Sequence, residues 1–173
     1  MRALFIALLL VASPAFAQQP ELEKKIGFEW SVHTGPLLPN QIEQVTEIMP
    51  MWGARVGFPN RNAFVEVGAT SARAYGTSLY NGHISYRGDI TVESLTGIFY
   101  AGLDLYHITP PEQSARTEGG GHIGAGLMTL IGDVAWFRAD MKFNINPGTA
   151  LYIGFGINFR LPEGQDAGAP QPQ

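Results

Sequence analysis

The sequence contains no cysteine. An exported domain of this size without disulfides must draw its stability from a packed core, a closed sheet or a membrane. Charge is also scarce. Only 15% of residues are charged, and eleven Lys and Arg face fifteen Asp and Glu, for a net charge of −4. No basic patch stands out, which excludes a nucleic-acid partner. Nor does any stretch beyond the N-terminus approach the roughly 20 apolar residues that a membrane-spanning helix needs. Any membrane embedding would therefore have to use strands. Helical periodicity is almost missing as well.

What is present begins with an export signal. Arg2 supplies a positive charge, positions 3–12 form a short apolar run, and Ala15-Phe16-Ala17 places small residues at a cleavage site. This is the layout of a secretory signal peptide, with cleavage expected before Gln18. Residues 1–17 are set aside as a leader and 18–24 as a short segment preceding the fold. Positions 161–173, rich in Pro, Gly and Gln, are expected to form a disordered periplasmic tail.

Between these ends the chain alternates with period two. Ile26, Phe28, Trp30 and Val32 oppose Gly27, Glu29, Ser31 and His33. The same pattern recurs over 52–58, 63–72, 83–93, 98–107 and 122–129. It is cleanest over 135–145, where Phe137, Ala139, Met141 and Phe143 oppose Trp136, Arg138, Asp140 and Lys142. After the turn-like Asn146-Pro147-Gly148-Thr149, Leu151, Ile153, Phe155, Ile157 and Phe159 oppose Tyr152, Gly154, Gly156, Asn158 and Arg160. Eight half-apolar strands are expected. Longer connections at 36–50, 73–82 and 109–121 alternate with short ones at 59–62, 94–97 and 130–134. Outer-membrane barrels show this asymmetry, with short periplasmic turns and longer outer loops.

Alternation does not say which face is inside. An apolar interior would make a soluble lipocalin-like binder, and a polar interior a membrane barrel. Two features favour the polar interior. Glycines 27, 53, 57, 68, 102, 124, 126, 154 and 156 all share the polar faces. Facing solvent they would weaken their strands by about 0.5–1 kcal/mol each for no gain. Facing a narrow lumen they make room for large side chains. The same faces hold both signs of charge: Glu29, Glu66, Asp89, Glu93, Asp104 and Asp140 with Arg55, Arg87, Arg138, Lys142 and Arg160. Buried charges need partners. Glu29, Arg55, Glu66, Arg87, Asp89, Asp104, Arg138, Asp140 and Lys142 are read as a luminal polar network. The opposite faces carry no charge, as lipid requires.

The chain resembles the eight-stranded outer-membrane barrel proteins, the group that includes the transmembrane domain of OmpA, over residues 25–160. One motif carries the likeness beyond architecture. In the last strand, Gly154, Ile157 and Phe159 match the C-terminal signal read by the barrel-assembly machinery, although here fourteen residues follow the aromatic. The resemblance implies an all-β, up-and-down antiparallel transmembrane barrel with a polar, side-chain-filled lumen. It implies outer-membrane lipid and lipopolysaccharide as surroundings, the assembly machinery as a transient partner, and a monomer. No cofactor follows from it.

Some barrels of this group modify lipid A using a His and a Ser close together on one strand face. Here His107 has outward parity and Ser114 lies in the neighbouring loop, but no His-x-Ser pair exists. His33, His83 and His122 share inward parity near the outer ends of strands one, four and six. Three imidazoles can bind Zn²⁺, but non-adjacent strands are expected to hold them apart, leaving rim residues paired with Glu29 or Glu118. Gly119-Gly120-Gly121 lacks the context of a phosphate loop and reads as a loop end. Asp89 and Glu93 read as structural rather than as an acid/base pair. Trp30, Trp52, Tyr80, Tyr86 and Tyr106 are candidates for aromatic girdles, while Tyr100 and Trp136 point inward. Segment 36–50, with Leu37, Leu38, Ile42, Val45, Ile48 and Met49, is expected to cover the barrel mouth or bind a partner. The expected role is non-enzymatic, structural or surface-interacting. The alternatives are a lipid A-modifying enzyme and a narrow pore.

Overall fold

The computed structural model describes residues 26–40, 42, 45–146 and 148–162. The leader, residues 18–24 and the tail beyond position 162 lie outside them. Period-two alternation becomes eight strands: β1 (Ile26–Asn40), β2 (Met49–Asn60), β3 (Ala63–Ala74), β4 (Thr77–Val92), β5 (Leu95–Thr109), β6 (Arg116–Leu130), β7 (Ala135–Ile145) and β8 (Thr149–Pro162). Each pairs antiparallel with the next, and β8 returns to pair with β1, closing the barrel. Closure satisfies the backbone of every strand and leaves no edge. All described secondary structure is β, in up-and-down order.

The alternation sorts as the charge pattern requires. Arg87, Arg138, Glu29 and Glu66 are almost wholly buried, while Trp52 and Leu103 are each 66% exposed. A soluble domain inverts this relation. The lipocalin-like alternative, with its apolar interior, is therefore not the fold.

The strands run further than their hydrophobic pattern suggested. Turns at 61–62, 93–94 and 131–134 sit at the end where β1 starts, called the near end below. The far end carries 41–48, 75–76, 110–115 and 146–148. The expected connections 36–50, 73–82 and 109–121 thus shrink to eight, two and six residues. Their rim residues do not keep the alternation of apolar with polar side chains, yet the ladder continues through them. Leu37 still pairs with Tyr152, Asn40 with Thr149, and Asp104 with Gly120. Gly119-Gly120-Gly121 therefore lies within β6 and is not a loop end.

Candidate functional site

The lumen is the most highly organised part of the molecule. Inward positions on seven strands bring ten charges into it, five of each sign: Glu29, Glu66, Asp89, Asp104 and Asp140 with Arg55, Arg87, Arg138, Lys142 and Arg160. At the near end Arg160 bridges Glu29 (3.2 Å) and pairs with Asp89. Arg87 donates to both oxygens of Glu29, to Asp89 (2.7 Å) and to Glu66 (2.6 Å). Glu66 is shared: Arg138 reaches the same carboxylate oxygen at 2.7 Å. Arg138 also holds Asp140 (2.8 Å), which Arg55 approaches to 2.7 Å from the other side of the barrel. Arg55 Nε ends this chain by donating to His33 Nδ1 at 3.2 Å. A continuous ladder of alternating charge thus links β1, β2, β3, β4, β7 and β8. Aromatic faces support the guanidinium groups, with Arg87 lying 4.4 Å from the Phe64 ring centre.

Farther along, a second cluster centres on Asp104. Its carboxylate accepts from Lys142 (2.8 Å), Asn81 (3.0 Å) and His122 Nδ1 (2.7 Å). The other ring nitrogen, His122 Nε2, lies 2.8 Å from Ser85 Oγ. Serine, histidine and aspartate from β4, β6 and β5 therefore stand in the order used for nucleophilic catalysis. No sequence spacing announced this, because the three residues lie on successive strands and meet only through register. His122 accordingly pairs with Asp104 and Ser85, and not with Glu29 or Glu118. Distance does not separate all the histidines either, since the His83 and His122 rings are 5.9 Å apart. The expectation failed because side chains in a narrow lumen meet across its centre. His33 lies instead against Arg55 and Tyr152, and no cluster of three metal-ligating side chains is found among the described residues.

The surroundings of this triad decide what it can do. Ser85, His122 and Asp104 are all buried. The void beside them, lined in part by His33, His83, Ser85, Tyr100 and Tyr152, has about 10 Å³ of water-accessible space. That is room for one water and not for an acyl group. Tyr152 Oη and His83 Nδ1, which lack protein partners, are suited to hydrogen-bond that water.

The far mouth is closed by apolar side chains. Leu37, Met49, Met51, Leu79, Tyr106, Ile108 and Tyr152 form a buried cluster, with Ile42 and Val45 of connection 41–48 packed into it. Tyr106, taken above as a girdle residue, belongs to this plug. Above it lies a surface cleft of about 160 Å³, lined by Val45, Glu47, Tyr75, Thr77 and Pro111 among others.

Outside, Phe99, Leu103, Leu105, Ile123, Met141 and Phe155 belong to an exposed apolar belt. His107 is exposed at its far edge, where its ring lies 2.9 Å from Thr117 Oγ1 rather than pairing with Ser114. In β8, Gly154 faces inward, and Phe159 stacks on Trp30 at 4.4 Å.

This geometry has counterparts among solved structures. The N-terminal β-barrel domain of Pseudomonas aeruginosa OprF superposes with a TM-score of 0.66 at 13% identity, covering 79% of this chain and 98% of that one. Neisserial surface protein A gives 0.64 at 12% identity over 78% and 96%. The fold is that of an eight-stranded outer-membrane barrel. Ail, the attachment invasion locus protein of Yersinia pestis, is a further such barrel, at 0.52 and 11% identity over 78% and 96%. At these identities the likeness is one of fold. No protein-family model matches the sequence, and no curated protein matches it. An eight-stranded outer-membrane barrel leaves just enough interior for side chains, as this lumen illustrates.

Proposed function

We propose that this chain is a non-enzymatic integral protein of the bacterial outer membrane, acting as a structural or surface-interaction barrel. One observation carries the reading: an uncharged, exposed apolar belt surrounds an interior whose ten charges are paired. In water the belt would cost free energy at every exposed side chain. In lipid it is the required surface. On this reading the leader is cleaved after Ala17 and both chain ends lie in the periplasm. The far end, with its cleft, then faces outward. Gly154, Ile157 and Phe159 serve as the signal for the assembly machinery, and the barrel is a monomer. Two of the similar structures bear names that speak of a surface and of attachment, in keeping with such a role.

Electrophoretic heat modifiability of the outer-membrane fraction tests this. Unboiled protein should migrate as a folded barrel and shift on heating. A soluble periplasmic protein with no shift would overturn the reading.

A lipid A-modifying enzyme gains one observation, the Ser85–His122–Asp104 chain. Against it stand the burial of Ser85 and the single-water void beside it. Asp104 also binds Lys142 and Asn81, so the cluster works as a strut between β4, β5, β6 and β7. Folded protein should not label at Ser85 with a fluorophosphonate probe, read by intact mass. Labelling abolished by Ser85→Ala would revive the enzymatic reading.

A further inference from the structure

The outward face departs from its apolar character at one place on the far rim. Register sets Tyr80 beside His107 and His107 beside Thr117. Arg73 Nη2 donates to Tyr80 Oη at 2.9 Å, and His107 Nδ1 lies 2.9 Å from Thr117 Oγ1. All four side chains are exposed. With those contacts made, the exposed Arg73 guanidinium, Tyr80 hydroxyl and His107 ring retain further hydrogen-bonding capacity. No carboxylate interrupts the row. Glu112 belongs to connection 110–115, and Glu118 has inward parity, paired with Arg116.

Immediately toward the middle of the belt, the outward face alternates glycine with leucine across the strands. Gly82 and Gly119 flank Leu105 in register, and a Cβ at either glycine would meet nothing within 4 Å. One pleat further, Gly121 lies beside Leu103. Outward positions 119 and 121 of β6 thus carry no side chain; exposed Leu105 and Leu103 of β5 lie beside them, and exposed Ile123, paired with Phe143 of β7, closes the end toward the middle of the belt. A cluster of donors stands at the head of a shallow apolar groove.

We propose that this face binds a phosphorylated glycolipid of the outer leaflet, the lipid A moiety of lipopolysaccharide. Its phosphate sits on Arg73, Tyr80, His107 and Thr117, and an acyl chain lies along Gly119 and Gly121. Guanidinium matches phosphate in geometry and charge. Phosphate is the group that such a donor set recognises, and the groove takes the adjoining chain in the same orientation. The inference rests on the membrane reading above, which places the far end in the outer leaflet.

The test uses the whole mature chain refolded into phospholipid vesicles containing lipid A. After mild detergent extraction, native mass spectrometry counts the retained lipid. Lipid A should be retained in preference to its dephosphorylated form and to phosphatidylglycerol. Loss of the charge-assisted contacts in Arg73→Ala/His107→Ala should lower retention by at least about tenfold. Gly119→Leu/Gly121→Leu should lower it too, while Arg61→Gln at the opposite end should not. Equal retention by the double variant, or of the dephosphorylated form, overturns the proposal. Effective competition by phosphatidylglycerol would reduce the site to one for any anionic lipid, and also overturns it. If a variant does not fold, the comparison of lipid A with its dephosphorylated form on the unmodified chain decides. Absence of the heat shift in the unmodified chain would count instead against the membrane reading.

Discussion

Glu66 accepts from two guanidinium groups at once, Arg87 at 2.6 Å and Arg138 at 2.7 Å, and all three side chains are buried. Neither arginine has access to bulk water in exchange, and Glu66 is the carboxylate that joins the Glu29–Arg87 pair to the Arg138–Asp140 pair. Glu66→Gln keeps the shape but leaves the lumen with one uncompensated positive charge. Breaking a buried pair in this way costs about 3–5 kcal/mol. The midpoint of the heat-shift transition, or a urea titration in detergent, should fall accordingly. Glu66→Gln/Arg138→Met, which restores neutrality, should recover part of the loss. If Glu66→Gln alone is as stable as the parent, the carboxylate is not holding the network. Glycine acts at the same scale by leaving space. At Gly124 an added Cβ would lie 2.2 Å from the Tyr100 ring, which explains why a residue with no side chain stands opposite a large aromatic.

Among the elements, the β3–β4 hairpin shows a compromise. Its connection is only Tyr75-Gly76, with both residues at positive φ (49° and 84°). A two-residue hairpin turn of this kind matches strand twist, and Asn-Gly is its favoured pair. Tyrosine in the left-handed region is strained, and its ring is 80% exposed, so little burial repays the cost. Tyr75→Asn should stabilise the folded barrel by up to about 1 kcal/mol, measured as a rise in the heat-shift midpoint. No change, or a fall, would mean that Tyr75 gains stability from its position beside the far-end cleft. Connection 41–48 behaves differently. Its Ile42 and Val45 enter the plug, joined by the Val45 N–H to Ile42 carbonyl bond at 3.1 Å, while Thr46, Glu47 and Ile48 stay exposed.

At the scale of the whole molecule, the plug and the ion-pair ladder together make the barrel a solid body. An ion entering from the far end meets the plug of Leu37, Met49, Leu79 and Ile108 before it reaches the ion-pair ladder. The unmodified protein should therefore show no steady conductance in planar bilayers. Ile42→Asp/Val45→Asp, which places carboxylates within the plug, should loosen it and produce measurable openings. Steady conductance of the unmodified chain would bring back the pore reading. Near-neutral luminal charge fits the same picture, since five acids facing five bases offer no net field to draw ions of either sign.

The sequence by itself determined the class of fold, the number of strands and the face of the residues within the strands; Glu93, read as inward, instead sits exposed in the turn after β4. A period of two admits no other assignment once charge and glycine mark one side. The inward parity of Glu29, Arg55, Glu66, Arg87, Asp104, Arg138, Asp140 and Lys142 was legible for that reason. Strand ends were not, because rim positions such as Leu37 to Asn40 and Arg116 to Gly121 continue the backbone ladder after the apolar alternation stops. Nor were the partners. Arg55 meets Asp140 from β2 to β7, Glu66 meets Arg138 from β3 to β7, and Glu29 meets Arg87 from β1 to β4. Alternation is a property of one strand, whereas a contact across the lumen depends on register and on the width of the closed barrel. Only the tertiary structure decided those, and with them the meeting of Ser85, His122 and Asp104.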